Sequence, residues 1–286
     1  DDVTEEYIYP NQIEDAHNIV NIFYMDNKFA VSIIKKTKIG ADGLMIELAK
    51  ILTTHPDDNF VINSNNVRII TGMSNINWEI DMIKKSPSCF KDKIFHHGKL
   101  QNANLTNIRD AIIIIDEIDT GDKNFQVLHT TLKNAGLMDI NYIMENNIRL
   151  AFISATIIKE LYHLREWGDY HKSYNLTILP NYIGHNDFLN KGIIQEFYSL
   201  ASINNIKKWI NEDIIDNYGT DFRIHIVRVS NKTLENIKNE CITSGILFKN
   251  HTSINRISID EMSKLFNNPI EHHIIIGVKG FFADLI

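Results

Sequence analysis

Three acidic side chains stand close together directly after the most apolar segment of this chain. Asp116, Glu117 and Asp119 follow Ile112–Ile115, four consecutive isoleucines that favour a strand buried on both faces. In open α/β sheets, ligand chemistry takes place at the carboxyl ends of the strands. An Asp followed by a Glu suits a nucleotide site there, because the first carboxylate can hold Mg²⁺ and the second can orient an attacking water. The alternative is an ordinary acidic loop after a buried strand.

The composition is that of a globular protein and excludes few classes of function. The chain has 286 residues, of which 44% are hydrophobic and 23% are charged, enough for two domains. No apolar run approaches the roughly 18 residues of a membrane helix, and the first residues are acidic and polar. We therefore expect no membrane partner and no secretory signal. Two distant cysteines, Cys89 and Cys241, predict a reduced, intracellular protein.

The apolar pattern alternates between strand and helix, which predicts parallel strands joined by crossovers. In the first half, strands are expected at 29–34, 67–71, 93–96, 111–116 and 148–154, with helices at 12–25, 43–53, 75–85, 123–135 and 157–167. In the second half, strands are expected at 222–229, 246–248 and 273–278, with helices at 201–217, 231–243 and 259–267. The pattern loosens after residue 168, so we predict two α/β domains, 1–170 and 171–286.

The net charge of −7 argues against a protein with positive potential over its whole surface. A local basic groove for nucleic acid remains compatible with that charge. The candidate for such a groove is the stretch 84–99, which a solvated basic surface explains equally well. Its basic residues are Lys84, Lys85, Lys91, Lys93 and Lys99, together with His96 and His97.

Two short segments resemble motifs of a known family. Asp116-Glu117-Ile118-Asp119 and, one α/β unit later, Ser154-Ala155-Thr156 resemble motifs II and III of superfamily 2 helicases. The resemblance implies an α/β fold of tandem RecA-like domains with parallel sheets. It also implies that ATP and Mg²⁺ are the cofactors and that DNA or RNA is the partner.

The same resemblance assigns roles to individual residues. Asp116 would hold the metal, and Glu117 would position the attacking water. The hydroxyl groups of Ser154 and Thr156 would contact the acidic motif across adjacent strand ends. Together with Ala155 they would couple the nucleotide site to the nucleic-acid face.

Weaker matches extend the resemblance over nearly the whole chain. Tyr9–Ile13 resembles the family's amino-terminal segment, which implies that Gln12 reads the adenine edge; a surface Gln at a helix start is the alternative. Similarity to motifs Ia, IV and V implies contacts with nucleic-acid phosphates. The residues assigned to these contacts are Thr71, Gly72, Met73 and Ser74 in the first domain, and Ser230, Asn231 and Gly280 in the second.

The loop after the first predicted strand departs from the family. A phosphate-binding loop needs glycines for close backbone approach, a Lys for the phosphates and a hydroxyl for Mg²⁺. Gly40 keeps its place here, but Ala41 stands where the Lys belongs and Asp42 stands where the Thr belongs. A carboxylate facing a triphosphate is repulsive. The cofactor-binding residues that the resemblance leaves are Gln12, Thr37, Lys38, Gly40 and Gly43.

Three explanations of this departure stay open. The protein is a degenerate helicase retained for binding, or Lys36 or Lys38 substitutes through a different loop path, or residues between Gly40 and Ala41 are missing from the sequence. A second departure favours the last explanation. The segment 274–280 begins like motif V, but the expected Arg-Ala does not follow and no equivalent of motif VI is found. We therefore expect an incomplete second domain.

Two hypotheses from different classes follow. The first is a nucleic-acid-dependent ATPase of the superfamily 2 helicase type that unwinds or translocates on DNA or RNA, closest to helicase-like proteins of large DNA viruses and phages. It would work with a replication, transcription or nuclease partner. The second is a catalytically silent scaffold that binds nucleic acid or a replication partner. A nucleotide kinase would share the parallel sheet, but it does not explain Ser154-Ala155-Thr156. Three tryptophans, Trp78, Trp167 and Trp209, are expected to be packing residues.

Overall fold

The computed structural model describes residues 8–37, 39–55, 57, 61–120, 126–156, 165–194, 198–228, 230–252, 255–268 and 271–278. The chain divides into two compact units, Asp1–Asn190 and Lys191–Ile286. Each unit is α/β and contains one parallel sheet. This confirms the predicted fold class of parallel sheets in tandem, the arrangement expected for RecA-like domains. None of the helices in the described ranges is both long enough and apolar enough to cross a membrane.

The first unit is built around a six-stranded sheet. Its elements are α1 (Pro10–Tyr24), β1 (Ala30–Ile34), α2 (Ala41–Thr53), β2 (Val67–Thr71), α3 (Ile76–Lys85), β3 (Ile94–Phe95), β4 (Ala111–Asp116), α4 (Val127–Asn134), α5 (Ile140–Glu145), β5 (Ile148–Ser154), β6 (His171–Asn175) and α6 (His185–Asn190). All six strands are parallel, in the order β3-β2-β4-β5-β1-β6.

The isoleucines of β4 are buried on both faces of this sheet, as the sequence predicts. Ile112 and Ile114 pack into the core formed with α1, α2 and α3. Ile113 and Ile115 point to the other face, where α4 and α5 cover them. Because neighbouring side chains on a strand point to opposite faces, four consecutive isoleucines fill both layers at once. The strand therefore carries its terminal Asp116 to the edge of a well-packed centre.

The boundary between the units lies later than the expected 170/171. Residues 171–175 form β6, which pairs in parallel with β1 from Ala30 to Ile34. Tyr174 on this strand donates a hydrogen bond to Asp15 in α1 (2.7 Å), and Thr177 donates to the same carboxylate (2.7 Å). These contacts tie β6 to the first sheet, so the first unit extends to Asn190.

The second unit has a three-stranded parallel sheet in the order β7-β9-β8. Its elements are α7 (Ile203–Lys208), a π-helical continuation (Trp209–Asp216), β7 (Arg223–Arg228), α8 (Asn231–Ser244), β8 (Leu247–His251), α9 (Ile259–Asn267) and β9 (His273–Val278). Its main core joins α7 and the π-helical segment to α8 and the sheet through Ile206, Ile210, Ile237 and Ile275.

Most predicted elements are present, with shifts of a few residues at their ends. Two helices, α5 and α6, and the strand β6 were not predicted. The expected helix at 157–167 falls mainly on residues 157–164, which lie outside the described ranges; residues 165–170 form 3₁₀ turns. Cys89 and Cys241 are both free thiols.

Candidate nucleotide site

The carboxyl ends of three adjacent strands bring the predicted acidic and hydroxyl side chains to one edge of the first sheet. Asp116 is the last residue of β4, Thr71 is the last residue of β2 and Ser154 is the last residue of β5. The register pairs Thr71 with Asp116 and Asp116 with Ile153. The sheet therefore places these groups side by side before any loop contributes.

A lysine that sequence reasoning missed lies between the two candidate catalytic carboxylates. Lys35 follows β1 directly, and its Nζ is 2.9 Å from Asp116 Oδ1 and 2.7 Å from Glu117 Oε1. The side chains of Lys35 and Asp116 are 11% and 5% exposed, so most water is excluded from this pair. The expected substitutes were Lys36, which is exposed, and Lys38, which lies outside the described residues. The lysine that reaches the acids is thus the first residue of the loop.

Burial and neighbouring charges shift the pKa values of Lys35 and Glu117. Burial alone lowers the pKa of Lys35, but attraction by Asp116 and Glu117 outweighs it, so the pKa is raised above the ordinary value. Burial raises the pKa of Glu117 above its ordinary value, against the opposing effect of Lys35. A carboxylate with a raised pKa is a better proton acceptor, which suits a residue that orients or deprotonates water.

The backbone at Glu117 adopts an unusual conformation. Its φ is +48°, in the left-handed region that residues other than glycine rarely occupy. Such backbone strain persists where surrounding contacts hold it, and it clusters at active sites. Here the amide of Ile118 donates to the carbonyl of Ile153 (3.3 Å), which fixes the turn after β4 against β5.

The remaining oxygens of Asp116 are held from the side of β2 and α3. Trp78 Nε1 donates to Asp116 Oδ2 (3.0 Å), and Thr71 Oγ1 donates to the Asp116 carbonyl (3.0 Å). Trp78 packs against the first core as predicted, but no pattern in the sequence predicts its polar contact. Both carboxylate oxygens of Asp116 are therefore bonded within the protein.

Asp119 is bonded to the hydroxyl segment at the end of β5. Ser154 Oγ donates to Asp119 Oδ1 (2.6 Å), and Thr156 Oγ1 donates to the other carboxylate oxygen. The Ser154 hydroxyl also accepts from the Thr156 amide (3.1 Å), which shapes the turn around the half-buried Ala155. The contact between the two segments, expected across adjacent strand ends, is present. Their coupling role stays a prediction.

Gln12 fixes the loop that leads into α2. It is 4% exposed, its Nε2 donates to the Gly40 carbonyl, and its Oε1 accepts from the Tyr9 amide (2.8 Å). Gly40 has a φ of +86° and is the residue just before α2, so the loop turns there in a conformation that favours glycine. Both polar atoms of Gln12 are used by the backbone in this conformation, and its adenine-reading role stays a prediction.

The other residues assigned to the cofactor have different surroundings. Thr37 is exposed, and its carbonyl accepts a hydrogen bond from Tyr182 (3.0 Å). Gly43 is buried within the first turn of α2. Lys38 lies outside the described residues, so nothing tests its assignment.

Asp42, which replaces the expected Thr, forms an ion pair with Lys85. Lys85 Nζ is 2.7 Å from Asp42 Oδ2 and 3.3 Å from Asp81 Oδ2. Asp42 lies in the first turn of α2, and Lys85 is the last residue of α3. The repulsive carboxylate noted in the sequence thus has a cation beside it.

The residues expected to contact nucleic acid in the first unit are mostly covered. Thr71 and Gly72 are buried, and a side chain at Gly72 would lie 1.6 Å from the Thr120 carbonyl. Met73 is half-buried, and its amide donates to Thr71 Oγ1 (3.2 Å). Ser74 is exposed. In this conformation only Ser74 has a surface free to meet a phosphate, and the assignments stay predictions.

The basic stretch 84–99 is largely neutralised by neighbouring carboxylates. Lys85 pairs with Asp42, Lys93 with Asp92, and Lys99 with the buried Glu79. The Glu79 carboxylate also accepts from the His96 amide (3.1 Å). A positive groove at this position is therefore weaker than the sequence suggests.

In the second unit, the predicted residues stand at the start of a helix. Ser230 precedes α8 and is exposed, and its hydroxyl accepts from the Thr233 amide (3.5 Å). Asn231, the first residue of α8, is also exposed. Gly280 lies outside the described residues. The phosphate contacts assigned to these three residues stay predictions.

The residues present fit Mg²⁺ when nucleotide phosphates complete its shell. Asp116 and Glu117 are the oxygen donors that Mg²⁺ prefers, and the Lys35 ammonium marks a cation position between them. No cluster of three or more His, Cys, Asp or Glu side chains within the described ranges could hold a metal by itself. Mg²⁺ commonly binds through one or two carboxylates together with phosphate oxygens, so the donor set is adequate.

No protein-family model and no curated protein matches the chain. Among solved structures, the chain is similar to S. cerevisiae Dbp5 bound to RNA and ADP BeF3, with a TM-score of 0.47 and 9% identity, covering 96% of this chain and 75% of that one. It is also similar to a Sulfolobus solfataricus SWI2/SNF2 ATPase core in complex with dsDNA, with a TM-score of 0.38 and 13% identity, covering 96% and 79%. These values assign no role to any residue, so the roles argued below rest on the contacts described above.

Proposed function

We propose that the protein is a nucleic-acid-dependent ATPase of the superfamily 2 helicase type. The observation that carries this proposal is the Lys35 ammonium between Asp116 and Glu117 at the carboxyl end of β4. It supplies, from the start of the loop, the cation that position 41 lacks. This supports the explanation in which a lysine reaches the phosphates by a different path.

Each residue of the site has a distinct proposed role. Lys35 would leave the carboxylates and bind the phosphates, as a point charge on a flexible stem can do. Asp116 and Glu117 would then be free for Mg²⁺, which neutralises charge on the phosphate oxygens during transfer. Glu117 would also orient the attacking water and accept its proton, which its raised pKa favours. Asp119 would couple nucleotide binding at the acidic segment to Ser154 and Thr156 through its hydrogen bonds with their hydroxyl groups.

The nucleic-acid contacts are proposed for the exposed predicted residues. These are Ser74 in the first unit, and Ser230 and Asn231 in the second, where a helix start can face a phosphate. Gly280 keeps the contact role implied by the family resemblance. Viral or phage origin and a replication, transcription or nuclease partner are part of the same proposal.

A second candidate function is the catalytically silent scaffold. It is favoured by the bonding of Asp116, whose two carboxylate oxygens are taken by Lys35 and Trp78. If these two contacts do not break, Asp116 has no carboxylate oxygen available for a metal ion that carries a nucleotide phosphate. The protein would then use its helicase-like body for binding alone.

Calorimetric titration with ATP, with and without Mg²⁺, separates the two candidates. The ATPase proposal predicts micromolar affinity that depends on Mg²⁺ and is lost in Lys35→Met. Lys172→Met is the matched control, because Lys172, on the edge strand β6 of the same sheet, forms an exposed ion pair with Asp26. Absence of binding by the wild-type chain would favour the silent scaffold.

A further inference from the structure

Helix α3 contacts both halves of the candidate nucleotide site. Trp78, in its first turn, donates to Asp116 after β4, and Lys85, its last residue, pairs with Asp42 at the start of α2. The helix has 10 residues and so spans about 15 Å. One short helix therefore links the acidic strand end to the start of the helix that follows the phosphate loop.

Lys85 neutralises the negative charge of Asp42 at the start of α2. Backbone amides and the helix dipole attract anions to the start of α2, but an unpaired carboxylate in the first turn repels them. Lys85 Nζ lies 2.7 Å from that carboxylate. Burial lowers the pKa of Lys85, but hydrogen bonds and attraction to Asp42 and Asp81 outweigh this effect. The pKa of Lys85 therefore lies above its ordinary value. The lysine is charged at every pH at which the protein would act.

Trp78 acts on the other half of the site. Its indole N–H holds Asp116 Oδ2, while Lys35 holds Oδ1. When Lys35 leaves, the indole still fixes the orientation of the carboxylate. An N–H donor does this without adding charge, so it does not compete with a cation for the free oxygen.

We propose that helix α3 supplies two functions that the phosphate loop itself lacks: Lys85 cancels the charge of Asp42 so that a nucleotide phosphate can approach α2, and Trp78 orients Asp116 for the bound state. Both are positioning residues. The inference rests on the proposed function, since it concerns the same site.

A double-mutant cycle of Lys85 and Asp42 tests the role of Lys85. ATP affinity is measured for the wild type, Lys85→Met, Asp42→Asn and the double variant. Lys85→Met is expected to weaken ATP binding about tenfold or more, because one unit charge is left uncompensated near the phosphates. Asp42→Asn should restore the affinity in the double variant and cause no loss alone. The unfolding midpoints of the four proteins are compared with their affinities, because a purely structural ion pair would change stability and affinity in parallel.

Three results would overturn the role of Lys85. They are unchanged affinity in Lys85→Met, failure of Asp42→Asn to rescue it, and an equal loss in the exposed-pair control Lys172→Met. If the wild type itself binds no ATP, the proposed function fails first. If the wild type binds ATP but Lys85 and Asp42 show no coupling, only the role of Lys85 fails.

Tryptophan fluorescence tests Trp78 separately. Addition of Mg-ATP is expected to change the emission of the wild type and of Trp209→Phe, whose altered residue lies in the second unit. Trp78→Phe keeps an aromatic ring but loses the N–H, and it should lack this change and show a lower kcat with little change in KM. An emission change of wild-type size in Trp78→Phe, with normal kcat, would reject the positioning role.

Discussion

The two units hold hydroxyl side chains of the same type in different ways. In the first, Ser154 is fully buried at the end of β5 and bonds to Asp119, within a network that also includes Thr71, Asp116 and Lys35. In the second, Ser230 is exposed and only caps its own helix. A buried network fixes its members and resists change, whereas an exposed cap leaves its residues free to meet a partner.

The strands beside these residues differ in the same direction. All six residues of β4 are buried, whereas β7, the edge strand that precedes Ser230, has one buried residue, Val227; the central strand of the second sheet, β9, is fully buried. The proposed catalytic site thus has rigid support at the end of β4, and the proposed binding face has an accessible surface beside β7. The comparison predicts that equivalent substitutions have larger effects in the first unit.

The largest effect is expected when the buried ion pair loses its cation. Lys35→Met leaves the buried Asp116 beside the half-buried Glu117 without a cation, which should destabilise the first unit by about 3–5 kcal/mol. Lys172→Met removes an exposed pair, with side chains 47% and 42% exposed, and should leave stability nearly unchanged. Native-state hydrogen exchange of β4 amides measures both. Equal effects would contradict the burial argument.

Truncating one isoleucine in the central strand β4 and one in the edge strand β7 compares a buried position with an exposed one. Ile114→Ala removes a fully buried side chain and should cost about 2–5 kcal/mol. Ile226→Ala removes a side chain that is 55% exposed and should change stability by at most about 0.5 kcal/mol. Urea unfolding of the whole chain gives both values. A large loss from Ile226→Ala would mean that β7 is covered in solution.

The two serines provide a smaller contrast. Ser154→Ala removes a hydrogen bond to a carboxylate and should cost about 1.5–3 kcal/mol. Ser230→Ala removes an exposed helix cap and should cost about 1 kcal/mol. Hydrogen exchange resolved by peptide separates the effects in the two units. The contrast fails if Ser230→Ala proves the more damaging change.

The smallest effect at neutral pH is expected from His225, which makes the stability of the second unit depend on pH. Burial, followed by the charges of His273 and Arg223, lowers the pKa of His225 to about 4. The pKa in the unfolded chain is about 6.5, so the fold has its full stability above pH 6.5 and loses stability as the pH falls towards 4, where the unfolded chain binds the proton first. His225→Gln should flatten that dependence, as followed by isoleucine methyl signals of the second unit. An unchanged pH profile would exclude His225 as the cause.

The sequence predicts well whatever the local pattern determines. The isoleucines of β4 and the bounds of β2, β5 and β9 follow from apolar pattern and strand preference. The acidic residues could be placed at a strand end for the same reason. The strand β6, His-Lys-Ser-Tyr-Asn, could not be predicted, because it is a polar edge strand held by tertiary contacts such as His171 to Ser32 (2.8 Å).

Side chains that act across elements were beyond sequence reasoning. Lys35, Trp78 and Lys85 reach their carboxylates over separations of 38 to 82 residues. One usable signal was present for Lys35, which directly follows β1, a strand that ends at the same edge of the sheet as β4. The contacts of Trp78 and Lys85 depend on where α3 packs, and no spacing in the sequence reports that.

Release of phosphate from ATP in the presence of nucleic acid is the decisive measurement for the proposed ATPase activity. We expect measurable turnover by the wild type and a loss of about 10²–10⁴-fold in Glu117→Gln, with ATP affinity retained, because only the water-orienting carboxylate is removed. Equal turnover in the two proteins, or none in the wild type, would contradict it.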